Sequence, residues 1–290
     1  MKKLLLFSAL ALVFFGCKKD EESLLADNST SDPNVIFRFA FDENQERLDN
    51  MGNSTGLPDG HAGQSPSINF ISAHYMEMIP NELTWLGDGE ILYEGPETTV
   101  GGEEAIDFDQ ANVVQEGEDF LVVPLSSVSP GTYEYIRTSL SYQNFLVDFI
   151  AAGFELTGTL ASFIGYNNYM TSYTIEEQSV DVNENKLQGY WGFETIGQVT
   201  TGQTPKGATT VPNPLAGTSP IPPGSCLVTG ELTSPLTITG NETEDIIVTL
   251  SLSTNQSFEW VEVNEDGIWE PEAGENIVDM GIRGLIATAE

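Results

Sequence analysis

Two stretches of this chain alternate between apolar and other side chains with a period of two, which excludes a helix for either. In VIFRFAFD (35–42), Val35, Phe37, Phe39 and Phe41 fall on one side. In DIIVTLSLS (245–253), Ile246, Val248, Leu250 and Leu252 share a side, opposite Thr249, Ser251 and Ser253. Successive side chains of a strand point to opposite faces, so each stretch reads as a strand with one buried and one wet side. Long runs with helical spacing are absent. Further strands are expected at 68–79, 119–124, 132–142, 154–164, 170–176, 187–195, 226–233 and 257–263, many of them separated by Pro, Gly, Asn or Asp. The expected fold class is all-β, an antiparallel β-sandwich or open barrel with long loops. SYQNFLVDFIAAG (141–153) fits either a strand edge or a short helix packed over one end.

The N-terminus carries a different signal. Lys2 and Lys3 precede LLLFSALALVFF, and Gly16 stands directly before Cys17. The apolar run is too short to span a bilayer in the usual way, and its flanks fit a processed export signal. FFGC resembles a bacterial lipobox, with Phe14 where a small aliphatic residue is usual. The resemblance implies a lipoprotein signal peptide at 1–16 and acylation, palmitate included, of Cys17. Residues 17–34 are polar and charged and read as a flexible acidic tether. Their KKDEE start resembles the surface-export signal of Bacteroidetes lipoproteins, which implies a lipid-anchored outer-membrane protein facing the cell surface. Residues 35–290 then form the β-sandwich domain, with a Pro/Gly-rich surface loop at 200–225. One domain is favoured over a split at this loop, because about four strands after it make a thin core.

Charge limits the partners. With 44 acidic and 10 basic residues the formal net charge is -34, so the chain offers no basic surface to nucleic acid. Anionic lipid would repel it, which leaves the N-terminal lipid as the membrane attachment. A hydrophobic share of 40% is enough for a core, so the acidity reads as surface solubility or a general affinity for divalent cations. If Cys17 is acylated, Cys226 has no partner and there is no disulfide framework. Cys226, in SCLVTGEL, reads as a buried, inert thiol.

The densest group of hard oxygen donors is EWVEVNEDGIWEPEAGE (259–275). It resembles the acidic DxNxDGxxxPxxGE calcium loops of extracellular proteins, and calcium takes six to eight oxygens. The ligand candidates are Glu262, Asn264, Asp266, Glu270 and Glu275. The competing reading is a charged hairpin turn whose carboxylates face water. His61 and His74 are the only histidines. His74 shares strand parity with Ile68, Phe70, Ser72 and Met76. The two imidazoles, with Met76, Glu77 or Met78 nearby, could hold copper or zinc, or each could be a structural histidine. Tyr166, Tyr169, Tyr190 and Trp191 could stack on a sugar beside Asn167 and Asn168, or fill the core. Catalytic motifs are lacking: there is no G-x-S-x-G, H-E-x-x-H or P-loop.

GGEEAIDFDQA, FLVVPLSSVSPGTYEYIRTSLSYQN and LQGYWGFET together resemble the MbnP-like β proteins of bacterial envelopes. The resemblance runs over roughly 34–285, and PGTYEYIR after AIDFD carries most of it. It implies an all-β domain and, from the copper-binding members, a copper centre whose counterparts here are His61, His74 and Trp191. The expectation is a non-enzymatic outer-membrane or surface lipoprotein with a binding or envelope-structural role and a protein or glycan partner. A metal-binding lipoprotein, using copper or calcium, and a glycan-binding module are the alternatives.

Overall fold

The alternation of VIFRFAFD becomes a strand whose apolar side is sealed: Val35, Phe37 and Phe39 are fully buried. The structure is a computed structural model, and it describes residues 32–49, 53–204 and 219–290. Cys17, the signal segment, almost all of the tether and 205–218 lie outside the described residues. The strands run β1 (Asn34–Asp42), β2 (His61–Gln64), β3 (Ser67–Ile79), β4 (Glu90–Glu94), β5 (Glu97–Thr98) and β6 (Ala105–Asp107). They continue as β7 (Asp119–Pro124), β8 (Gly131–Ala151), β9 (Phe154–Phe163), β10 (Asn167–Thr174), β11 (Ser179–Leu187) and β12 (Tyr190–Thr195). The last are β13 (Gln198–Gln203), β14 (Cys226–Ile238), β15 (Ile246–Ser253), β16 (Phe258–Val261), β17 (Ile277–Met280) and β18 (Leu285–Ala289). Among the described residues, helical structure is confined to three single 3-10 turns, and no helix is long and apolar enough to cross a membrane.

The all-β expectation holds, in an open, sandwich-like arrangement of mixed sheets. An eleven-stranded sheet follows the order β13-β12-β9-β8-β14-β18-β15-β1-β7, with β3 and β4 branching from β8. A four-stranded sheet, β11-β10-β6-β5, and a three-stranded sheet, β17-β16-β2, complete the set. The sheets are not purely antiparallel: β1 with β15, β14 with β18 and β6 with β10 are parallel. Parallel neighbours need a long crossover, and β1 and β15 have most of the chain between them.

The long strand β8 organises the layers. Its first half pairs with β14, its second half with β9, and β3 runs along its other edge. The 141–153 stretch is therefore strand, and residues Ser141–Ala151 belong to β8 without a break. Side chains from its two faces enter different cores. Phe145, Val147 and Phe149 pack with Phe258, Trp260, Trp269 and Met280. Tyr142, on the opposite face, joins Phe163, Met170, Tyr173 and Tyr190. The largest core gathers Phe37, Phe39, Met76, Met78, Ile136, Leu140, Val248, Leu250 and Leu252. Each fully buried side chain of this size contributes about 1.5–3 kcal/mol relative to exposure.

Three local expectations change. The loop expected at 200–225 begins as structure, because β13 reaches Gln203 and pairs with β12. SVDVNENKL forms β11, which its polar composition concealed. The shared parity of His74 with Ile68, Phe70, Ser72 and Met76 is broken because the pairing with β8 leaves Asn69 and His74 as extra residues in β3. A bulge adds a residue on one strand only, so side chains beyond it change face. Met76 therefore enters the main core while Phe70 stays exposed.

Candidate functional site

The acidic loop draws four of its five expected ligands together, and the carboxylates of Glu262, Glu270 and Glu275 accept hydrogen bonds from within or beside the loop. Glu275 is buried; its Oε1 accepts the amides of Val263 at 3.2 Å and Asn264 at 3.4 Å, and its other oxygen accepts that of Glu270. Glu262 Oε1 accepts the amides of Asn264 at 3.2 Å and Glu265 at 2.9 Å, and its Oε2 accepts the Trp260 indole N–H at 3.2 Å. The Asn264 amide donates to the Glu270 carboxylate. Asp266 stays apart and accepts the Ile268 amide at 3.0 Å. Among the described residues no three His, Cys, Asp or Glu side chains are arranged to hold a metal ion.

His61, His74 and Trp191 have different neighbours. His61, on β2, sets Nδ1 2.5 Å from Glu259 Oε1, inside an ion cluster with Arg47, Asp279 and Arg283. His74, on β3, is 4% exposed and packs against the Tyr166 ring, whose centroid is 5.6 Å away. Neither nitrogen of its ring makes a hydrogen bond of good geometry, although the Ser139 backbone lies near the ring. Burial pushes its pKa down to about 4, and the Ser139 backbone offsets this only in part. Trp191, on β12, packs against the Phe145–Trp269 core and lies over Gly202 of β13. A Cβ at Gly202 would stand 2.3 Å from the indole, so only glycine fits beneath it. The three residues have separate neighbours: His61 lies by Glu259, His74 by Tyr166, and Trp191 by Gly202 and the Phe145–Trp269 core.

Of the other residues singled out by sequence, Tyr190 and Cys226 lie in the cores, while Tyr166 and Tyr169 are only partly buried. Tyr190 is buried beside Phe163 and Tyr173. Tyr166 donates its hydroxyl to Glu97 at 2.8 Å. Cys226 is a free, buried thiol whose pKa is pushed up to about 12, by burial first and by Asp279 second.

The structure adds a site that sequence reasoning missed. The face of β8 that carries Tyr142 is covered by the four-stranded sheet, and the cover stops at Ile175. Beyond it lies an open groove of about 500 Å³, within the ~300–1,000 Å³ span of small-ligand clefts. Its apolar lining is Ile68, Phe70, Leu146 and Ile175; its polar lining is Asn69, Gln115, Glu116, Asn144 and Glu176. Phe70 is 36% exposed there, although it lies within a strand that is otherwise buried from Ile71 onward.

The walls are held in place by hydrogen bonds. Asn144, 1% exposed, accepts from the Asn69 amide at 2.9 Å and donates to the Ile175 carbonyl at 2.7 Å. Glu116 Oε1 accepts the Phe41 amide at 2.9 Å, which fixes one rim to β1. On the other rim, Glu176 Oε2 accepts the Thr159 hydroxyl at 2.9 Å. Glu194, buried, accepts the amides of Glu176 at 2.9 Å, Glu177 at 3.1 Å and Gln178 at 3.0 Å. Each rim carboxylate thus has one anchored oxygen and a second that no described residue engages. The lining comes from four separated segments, 68–70, 115–116, 144–146 and 175–176, so no spacing in the sequence marked it. The one available signal was Phe70 beside Asn69, an aromatic next to an amide.

No family model matches the chain, and no curated protein or solved structure matches it significantly, so its functional reading rests on the N-terminal sequence and on this groove.

Proposed function

We propose that this chain is a surface lipoprotein, held in the outer membrane by acyl chains on Cys17, whose all-β domain acts by binding rather than by catalysis. The sequence of residues 1–17 supports the anchor, and the polar run after it supports display away from the bilayer. The observation that carries the binding role is the groove beside β8. It combines an exposed ring and apolar lining with polar groups fixed by hydrogen bonds, the features of a pre-formed ligand cleft.

Two experiments test this reading. Cells grown with labelled palmitate should label the full chain, Cys17→Ala should abolish the label, and protease added to intact cells should cleave the domain. A label that survives Cys17→Ala, or full protection from protease, overturns the anchoring and display. A ligand-observed NMR screen of chemically mixed fragments should return hits that weaken on Phe70→Ala. No groove hit of any chemical class overturns the binding role.

A further inference from the structure

The groove's chemistry also selects among ligands. The lining includes two carboxylates as acceptors, Glu116 and Glu176. It also includes side-chain amides that can donate: that of Gln115, and the N–H of Asn69 not used on Asn144. Among the described residues, no Lys or Arg lines the groove. A phosphate, sulfate or carboxylate ligand would meet two like charges and no cation. An organic cation would suit the carboxylates but would leave the amide donors facing nothing. A hydroxyl both donates and accepts, so vicinal hydroxyls satisfy a carboxylate and an amide at once. The remaining surface is apolar: the exposed face of Phe70 with Ile68, Leu146 and Ile175. A sugar ring has this same division, with polar hydroxyls around its rim and C–H groups on its faces.

We infer that the groove lined by Phe70, Asn69, Gln115, Glu116 and Glu176 binds a neutral saccharide. The C–H face of one ring lies on Phe70, and its hydroxyls donate to Glu116 and Glu176 while accepting from Asn69 and Gln115. Asn144 and Glu194 make no ligand contact and act as positioning residues. Asn144 fixes the Asn69 amide, and Glu194 fixes the turn that carries Glu176. The inference rests on the binding role proposed above and adds the class of ligand.

The test uses the full chain in lauryldimethylamine oxide micelles, a detergent without a sugar headgroup. Neutral, sialylated and sulfated oligosaccharides are titrated by calorimetry, with arginine methyl ester as the cationic probe. At least one neutral oligosaccharide should bind, and Phe70→Ala should weaken it about tenfold. Glu116→Gln and Gln115→Ala change exposed rim residues without touching a core; each should weaken binding severalfold at an unchanged melting temperature. Sialylated and sulfated analogues should bind at least about tenfold more weakly than the neutral parent. The inference is overturned if no neutral saccharide binds, if binding is unchanged in all three variants, or if anionic analogues bind as well as neutral ones. Arginine methyl ester binding that Phe70→Ala removes, with no saccharide binding, overturns the ligand class and leaves the binding role standing. Failure of every fragment at the groove overturns both.

Discussion

The guanidinium of Arg47 lies against the carboxylate of Glu259, with both side chains more than nine-tenths buried and 212 residues of chain between them. Glu259 also faces His61 and, at 3.6 Å, Arg283, which itself pairs with Asp279. One carboxylate thus ties the segment after β1 to the three-stranded sheet and to the approach to β18. Losing one partner leaves cations buried without compensation, which costs about 3–5 kcal/mol. Glu259→Ala should lower stability by that amount in urea unfolding, and Glu259→Gln by less. A loss under about 1 kcal/mol would mean that the pair contributes no more than a surface ion pair does.

Glu194 makes a second prediction. Its buried carboxylate accepts three successive backbone amides, those of Glu176, Glu177 and Gln178. Glu194→Ala should cost about 1–3 kcal/mol, because charge-assisted bonds to buried groups are lost. Hydrogen exchange reads the local effect: protection at 176–178 should fall well before protection at the β8–β9 pairing does. Equal loss at both would show global destabilisation instead of release of the turn.

His74 predicts how stability depends on acid. Its folded pKa, about 4, lies below the ordinary imidazole value of 6.5, because burial penalises the charged ring. The unfolded chain therefore binds the proton more readily, and its protonation draws the equilibrium away from the fold. The contribution of the neutral ring is fully present above pH 6.5 and is lost as pH falls from 6.5 to 4. The shift corresponds to about 3 kcal/mol across that window. His74→Leu should flatten the stability profile there. An unchanged slope between pH 6.5 and 4 in the variant would assign the acid sensitivity to other groups.

Glu275 separates an internal brace from a metal ligand. Its carboxylate already accepts the amides of Val263, Asn264 and Glu270. Glu275→Ala should therefore destabilise the chain by about 1–3 kcal/mol in EDTA and equally in calcium. If calcium raises the melting temperature of the native chain, and Glu275→Ala abolishes that rise, the loop is a calcium site.

Some of this was legible residue by residue. The alternation at 35–42 and 245–253 set the faces of β1 and β15, since a strand's period of two is a local property. It could not say that the two strands would lie side by side and parallel. The strand nature of 141–153 was ambiguous, because FLVDFI is apolar on both sides. It became clear only once β8 was seen with a core on each face. β11 escaped notice because SVDVNENKL lies at a sheet edge and needs little apolar surface. The five calcium candidates were found as neighbours in sequence, but their use as acceptors for loop amides was not, because backbone direction decides it.

By itself the sequence determined that the chain makes strands, which faces of the most regular ones are apolar, and that the formal net charge is -34. It also supplied the expectation of an acylated Cys17. Tertiary structure alone decided where β3 bulges, which side of it Phe70 takes, and which carboxylates meet an amide. The physical reason is range. Side-chain alternation follows from dihedral angles within one segment, whereas a groove is the space left where packing stops. Here packing stops at Ile175, between segments brought together by the pairing of β3 with β8, the Ile71–Val114 bridge and the Asn144–Ile175 hydrogen bond.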